Sequence, residues 1–203
     1  NPDTIYYTDP GNPERIDNLY SSGRLPESSG ESITGMISAF GAVFVFKPSA
    51  IWRVDDTGGN NVQYTKIPGA GAVSEQSIQI IQNPDTGRTL VFFWSQHGPY
   101  VFDGQQSQYI GSPLEEFDYP GEGAPEYNWL NPSSVVVGHD ANAREIICFY
   151  VPRKTTEAGV TTELDRHGEA MAFNYRTNAW YRYTGTMGVN VLSLNYSKNS
   201  NSK

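Results

Sequence analysis

Carboxylates occur in close sets at Asp55–Asp56, at Glu115–Glu116 with Asp118, and at Glu122 with Glu126. Two carboxyls facing each other across a sugar would cleave a glycosidic bond, one as acid and the other as base or nucleophile. All three sets lie in Gly- and Pro-rich stretches, where adjacent acids are ordinarily solvated turn residues and sequence fixes no mutual distance. His97, His139 and His167 fall in separate predicted turns, and none pairs with a second His or Cys at metal-ligand spacing. Cys148 sits within the apolar run Ile146–Tyr150 and reads as a small buried hydrophobe. Gly69-Ala70-Gly71-Ala72 lacks the helix and the lysine that make a glycine loop a phosphate cradle. Asp55–Asn61 lacks the alternation and closing Glu of an EF-hand and reads as a hairpin tip. No catalytic, cofactor-binding or metal-binding residue is expected, and the chain is read as non-enzymatic.

Contact chemistry is the stronger signal. Tyr119, Tyr127 and Trp129 lie in a Pro/Gly-rich loop that no core strand claims, and exposed loop aromatics are frequent contact anchors. With Glu122 and Glu126 beside them, the same rings would also suit stacking on a sugar. Asn83–Leu90 superficially resembles the Asp-box turn of sialidases. Asn83 stands where that turn begins with Ser or Thr, and Leu90 where it ends in an aromatic. A plain Asp-x-Gly hairpin turn is the reading adopted.

The elements that must position these residues are short strands. Hydrophobic residues make up 37% of the chain and aromatic residues 13%, too many for a disordered segment. No apolar run approaches the ~20 residues of a membrane-spanning helix, and a single Cys excludes a disulfide framework. The formal net charge of −8 argues against wrapping duplex nucleic acid, and no sequence-specific nucleic-acid binding is expected. Helical periodicity is nearly absent, because Gly or Pro interrupts almost every window.

What recurs is run, turn, run. Ile33–Phe40, Ala42–Phe46, Ala50–Val54 and Val62–Lys66 make one set of four predicted strands. Ser77–Gln82, Arg88–Trp94, Tyr100–Asp103 and Gln105–Ser112 make a second. Ser133–Gly138, Arg144–Val151, Ala170–Tyr175 and Ala179–Tyr183 make a third, delayed by a polar insertion over Pro152–Gly168. Second-strand anchors Phe44 and Val91 are about 47 positions apart, and Val91 and Ile147 about 56, close to the period of propeller blades. The expected fold is therefore an all-β propeller, with blades at about 33–66, 77–112 and 133–184. A two-layer β-sandwich is the alternative. Partial blades are expected at 1–20, from Ile5–Tyr7, and at 189–203, from Val189–Tyr196. Remnants at both ends imply a segment of a larger ring that does not close alone, so the isolated segment should be oligomeric or poorly soluble. Alternating aromatics such as Tyr6, Tyr7, Phe44, Trp52, Phe93 and Phe102 are assigned to packing between blades.

Three stretches together resemble the β-propeller structural proteins of tailed-bacteriophage tails and necks. They are Ile5–Arg15, Ile33–Met36 with Val43–Lys47 and Ser49–Val54, and the unit from Gly71–Ser74 through His97–Gly104. The likeness covers about residues 4 to 117 and carries no catalytic motif. It implies a virion component of the tail, tail tip or neck, assembled in the host cytoplasm. Its partners would be other virion subunits in a symmetric assembly, without cofactor or membrane span. A carbohydrate-binding or glycan-cleaving propeller used in host recognition remains the alternative.

Overall fold

The computed structural model describes residues 3–8, 22–25, 30–57, 62–115, 132–150, 155–157, 160–162 and 170–183. The chain is all-β and divides into two compact units, Asn1–Ser112 and Pro113–Lys203. Among the described residues helix is confined to single turns, such as Ser112–Glu115.

In the first unit, β1 (Thr4–Tyr6) pairs antiparallel with β2 (Ser22–Arg24) as a two-stranded sheet. Then come β3 (Gly35–Ala39), β4 (Ala42–Phe46), β5 (Ile51–Asp56) and β6 (Val62–Ile67), neighbours in space in the order of the chain. A second antiparallel meander repeats the plan with β7 (Ile78–Gln82), β8 (Thr89–Ser95), β9 (Gly98–Phe102) and β10 (Ser107–Tyr109).

Strand side chains alternate between faces, and each face has its own packing. Phe44, Phe46 and Ile51 point to one side of the first meander. They share a core with Val91, Phe93 and Phe102 of the second. The rings meet edge to face: Phe44 and Phe102 are 5.0 Å apart at 77°, and Phe46 and Phe93 are 5.4 Å apart at 62°. Val45 and Trp52 point the other way and pack with Leu25, next to β2, and with Ile5 of β1. The first meander is thus packed on both faces, by the second meander on one and by the β1–β2 pair on the other. Phe92 and Trp94, on the far face of β8, are also buried.

Turn chemistry joins the strands. At the β3–β4 hairpin Phe40 and Gly41 both take positive φ (52° and 73°), the primed turn that matches strand twist. A bulky residue is strained there. The Phe40 ring compensates by standing edge-on to Phe44 (6.0 Å) and Phe102 (5.9 Å). The β7–β8 loop is a hairpin turn, as the sequence predicts, and Asn83 also caps it: Asp85 N–H donates to Asn83 Oδ1 (2.9 Å), and Gly87 takes φ 66°.

In the second unit, β11 (Val136–Asp140), β12 (Glu145–Phe149), β15 (Ala170–Asn174) and β16 (Ala179–Tyr183) form a third four-stranded meander. The predicted insertion contains a separate hairpin, β13 (Thr155–Glu157) with β14 (Val160–Thr162). The β11–β12 and β15–β16 loops repeat one device. Asp140 Oδ1 accepts from Asn142 and Ala143 N–H, and Asn174 Oδ1 from Arg176 and Thr177 N–H. Arg144 and Asn178 then take positive φ before the return strand.

Phe44, Val91 and Ile147 each lie on the second strand of a meander, as their spacing predicts. Several details differ: Asp55 and Asp56, expected at a hairpin tip, end strand β5, and Ser133 and Ser134, expected to open a strand, lie in a 3-10 turn before β11. β2 was not expected; its Gly23 lies so close to the Tyr64 hydroxyl that a Cβ would come within 1.6 Å of it. β9 begins at Gly98, not at Tyr100, with Pro99 opposite Trp94 and its carbonyl accepting from Ile110 N–H (3.1 Å). His139 is in strand β11, not in a turn. The predicted strand Val189–Tyr196 lies outside the described residues.

Candidate interaction groove

Consecutive residues of a strand point to opposite faces, and this separates Asp55 from Asp56. The Asp56 side chain shares the face of Val54 and Trp52, while Asp55 projects from the other, where its Oδ1 accepts from Arg53 Nε at 2.9 Å. These adjacent acids do not face each other across a substrate. Glu115 lies on the helical turn Ser112–Glu115. Glu116, Asp118, Glu122 and Glu126 lie outside the described residues, as do the predicted contact residues Tyr119, Tyr127 and Trp129, and His167.

The remaining expected positions have structural surroundings. Gly71 is pressed against the β4–β5 loop: a Cβ there would come within 1.8 Å of the Lys47 carbonyl oxygen and 2.6 Å of Ala50 N. The glycine permits backbone contact. Cys148 is buried, and burial pushes its thiol far above the ordinary range, so the reactive thiolate is disfavoured. His139 Nε2 lies 3.1 Å from the Tyr175 hydroxyl, and burial lowers its basicity against an opposing pull from Asp140. His97 is in the β8–β9 turn. No group of three metal-ligating side chains occurs among the described residues.

Two polar clusters had no sequence signal. In the second unit Tyr183 Oη donates to Glu145 Oε2 at 2.7 Å, across the small side chains of Ala170 and Ala172 on the same sheet face. The Tyr181 ring stands beside Tyr183 at 5.4 Å. Burial and then the bond to Glu145 push the Tyr181 phenol up; for Tyr183 the Glu145 bond is the leading cause. Both phenols stay protonated at neutral pH, as hydrogen-bond donors and not as nucleophiles. In the first unit Arg24 Nε donates to the buried Asp3 carboxylate at 2.6 Å. That bond holds the Asp3 carboxyl below its usual range, and the charge of the buried Lys47 adds to the effect.

An open groove in the first unit lies elsewhere. A groove of about 570 Å³ runs between Ile5–Thr8 and the outer face of the first meander, floored by Val43, Val54 and Val62. Met36 forms its β3 side, while Asp55 and Asp56 lie at the β5 end. Met36 is 55% exposed and Tyr6 56%, although Tyr6 was expected to be packing material. The cause is partial cover. Ile5 and Leu25 pack on Val45, Trp52, Val54 and Tyr64, while the end of the face that carries Val43 and Val62, with Met36 beside it, is left only partly covered. Period-two alternation reveals which residues share a face; how far that face is covered is a tertiary fact.

An apolar floor beside the exposed Met36 and Tyr6 suits the apolar side chains of a polypeptide. No protein-family model matches the chain, and no curated protein sequence matches it.

Proposed function

We propose that the chain is a non-enzymatic structural protein of a tailed-phage virion, a propeller segment of the tail or neck that works by contacts with neighbouring subunits. The half-covered face beside β1 is the observation that carries this reading. A four-stranded meander packed on one side by a second meander and on the other only by two strands exposes Met36 and Tyr6 above an apolar floor. Exposed apolar surface of this kind marks a contact site. Support for a propeller comes from successive four-stranded meanders, the first two packed face to face through Phe44, Phe46, Phe93 and Phe102. A sandwich also stacks two sheets, but it gives no reason for three sheets to be built in one strand order. Support for the virion comes from the resemblance of the stretches within residues 4 to 117.

Antibodies raised against the chain should label intact phage particles at the tail or neck and leave the capsid faces bare. Particles that lack the protein, or label elsewhere, would refute the placement. Purified protein should release no sugar from host-surface glycans; turnover lost on changing Glu115, Glu122 or Glu126 would establish the glycan-cleaving alternative instead.

A further inference from the structure

We infer that the half-exposed face of the third meander is covered by this chain's own run Val189–Tyr196, with Leu192 and Leu194 turned onto Ile147 and Phe149. This cover presupposes the propeller reading above and adds a contact that reading leaves open. The two fail separately: particle labelling tests where the protein sits, and cross-linking of the purified chain tests what lies on this face.

The registers put Ile147 and Phe149 on one face with Ala170, Ala172, Tyr181 and Tyr183. Ile147, Phe149, Tyr181 and Tyr183 are half-exposed there, while Ile146, Cys148, Met171 and Phe173 on the other face are buried. Main-chain hydrogen bonds tell which face this is. For L residues, chirality ties the face taken by Cβ to the side on which the residue's N–H and C=O lie. Phe46 C=O accepts from Thr34 N–H (2.8 Å), so Phe46, and Phe44 two residues before it, turn their main chain toward β3. Arg144 C=O accepts from Tyr175 N–H (3.1 Å), on the β15 side, and alternation then turns Glu145, Ile147 and Phe149 toward β11. Both sets lie on the second strand of an antiparallel meander and point their main chain at its first strand, so their faces are equivalent. In the first meander that face carries Phe44 and Phe46, and the sheet that follows in the chain covers it. The second meander obeys the same rule. Arg88 C=O accepts from Asn83 N–H (2.9 Å), so Val91 and Phe93 turn toward β9 and lie on the opposite face, the one that meets the sheet before them.

In the first unit the chain supplies this cover itself. β6 ends at Ile67, and Ile78, which opens β7, packs on the core of Phe44, Phe46 and Ile51. It lies over β3, so close that a Cβ on Gly35 would come within 2.6 Å of Ile78 Cδ1. β16 holds the fourth place in its meander, as β6 does, and the apolar run that follows it is Val189–Tyr196. Reach allows the same step. From the fourth strand to the first is three strand spacings, about 14 Å, and a stacked sheet stands about 10 Å away, which makes about 17 Å in all. The backbone from Tyr183 to Val189 spans up to about 20 Å when extended. Leu192 and Leu194 alternate with Ser193 and Asn195, the period-two pattern of a run with one covered face.

The test places photo-reactive benzoylphenylalanine at position 149 of the full chain, in an equal mixture of isotopically light and heavy protein. Irradiation and peptide mapping should join position 149 to residues 189–196 of the same molecule, without light–heavy products. Leu192→Asp, which would bury an unpaired charge, should cut that product and speed amide exchange in β11 and β12 by about tenfold. Ser193→Asp, one residue on and turned outward, should do neither. Unchanged exchange in β7–β10 shows that the variants are folded. If the position-149 variant does not fold, exchange in the two aspartate variants decides alone. Equal exchange in Leu192→Asp and Ser193→Asp would overturn the inference. Joining of position 149 to a second copy, or to another part of the chain, would overturn it too by identifying a different cover.

Discussion

Replacing Phe44 by Ala tests whether the first two meanders share one core. Phe44 is 1% exposed and faces the second meander, with its ring edge-on to Phe102 at 5.0 Å and to Phe40 at 6.0 Å. Loss of a buried Phe side chain costs about 3–5 kcal/mol in transfer and cavity terms. The edge-to-face contact with Phe102 is part of that loss, worth about 0.5–1.5 kcal/mol by itself. Against a domain stability of roughly 5–15 kcal/mol, the expected fall in melting temperature is on the order of 15 °C or more. Ile80→Ala, at a position 38% exposed on β7, should cost about 1 kcal/mol or less and serves as the comparison. The assay is thermal unfolding by circular dichroism with amide exchange read strand by strand. A shared core requires protection to fall in β8 and β9 as well as in β4 and β5. Loss confined to β3–β6, with β7–β10 unchanged, would refute the packing described above.

Gly71→Ala should destabilise by about 1–3 kcal/mol or more, since a Cβ would strike the main chain at Lys47 and Ala50; chemical denaturation measures it. Phe40→Asn trades a strained aromatic for a residue suited to positive φ, while giving up two ring contacts. Double-mutant coupling of Phe40 with Phe102 should be about 0.5–1.5 kcal/mol, and zero coupling would mean the ring does not hold the turn. The Asp3 carboxyl titrates lower in the folded chain than in the unfolded one. Its contribution is therefore present above the unfolded value near 3.8 and is lost as pH falls through the folded one. Asp3→Asn should flatten this acid limb in a pH series of melts. Cys148 should resist a thiol reagent in the native state and react on unfolding; rapid native labelling would contradict its burial.

The Glu145–Tyr183 bond and the Asp3–Arg24 pair illustrate how polar groups are fixed in a β-sheet protein of this kind. Each joins residues far apart in sequence, separated by 38 and 21 positions. Their distances depend on registers that no local pattern specifies. Asp103, Asp140 and Asn174, by contrast, cap their own turns within three residues and are readable from local sequence.

Sequence alone determined the all-β class and the strand runs of the three meanders. Period-two alternation and the turn residues between runs are local properties, and they sufficed to place Phe44, Val91 and Ile147 on equivalent strands. It misplaced Asp55 and Asp56: they were expected at a hairpin tip, and they lie in strand β5 opposite Gln63 and Val62. It did not reveal β2, because Ser22-Gly23-Arg24 has no strand signature. Those residues are a strand because β1 pairs with them and because Gly23 fits against Tyr64. Nor did it reveal the groove. Whether an apolar face is covered depends on what packs over it. That is decided when β1 and β2 settle on part of a sheet of four and leave Met36 exposed.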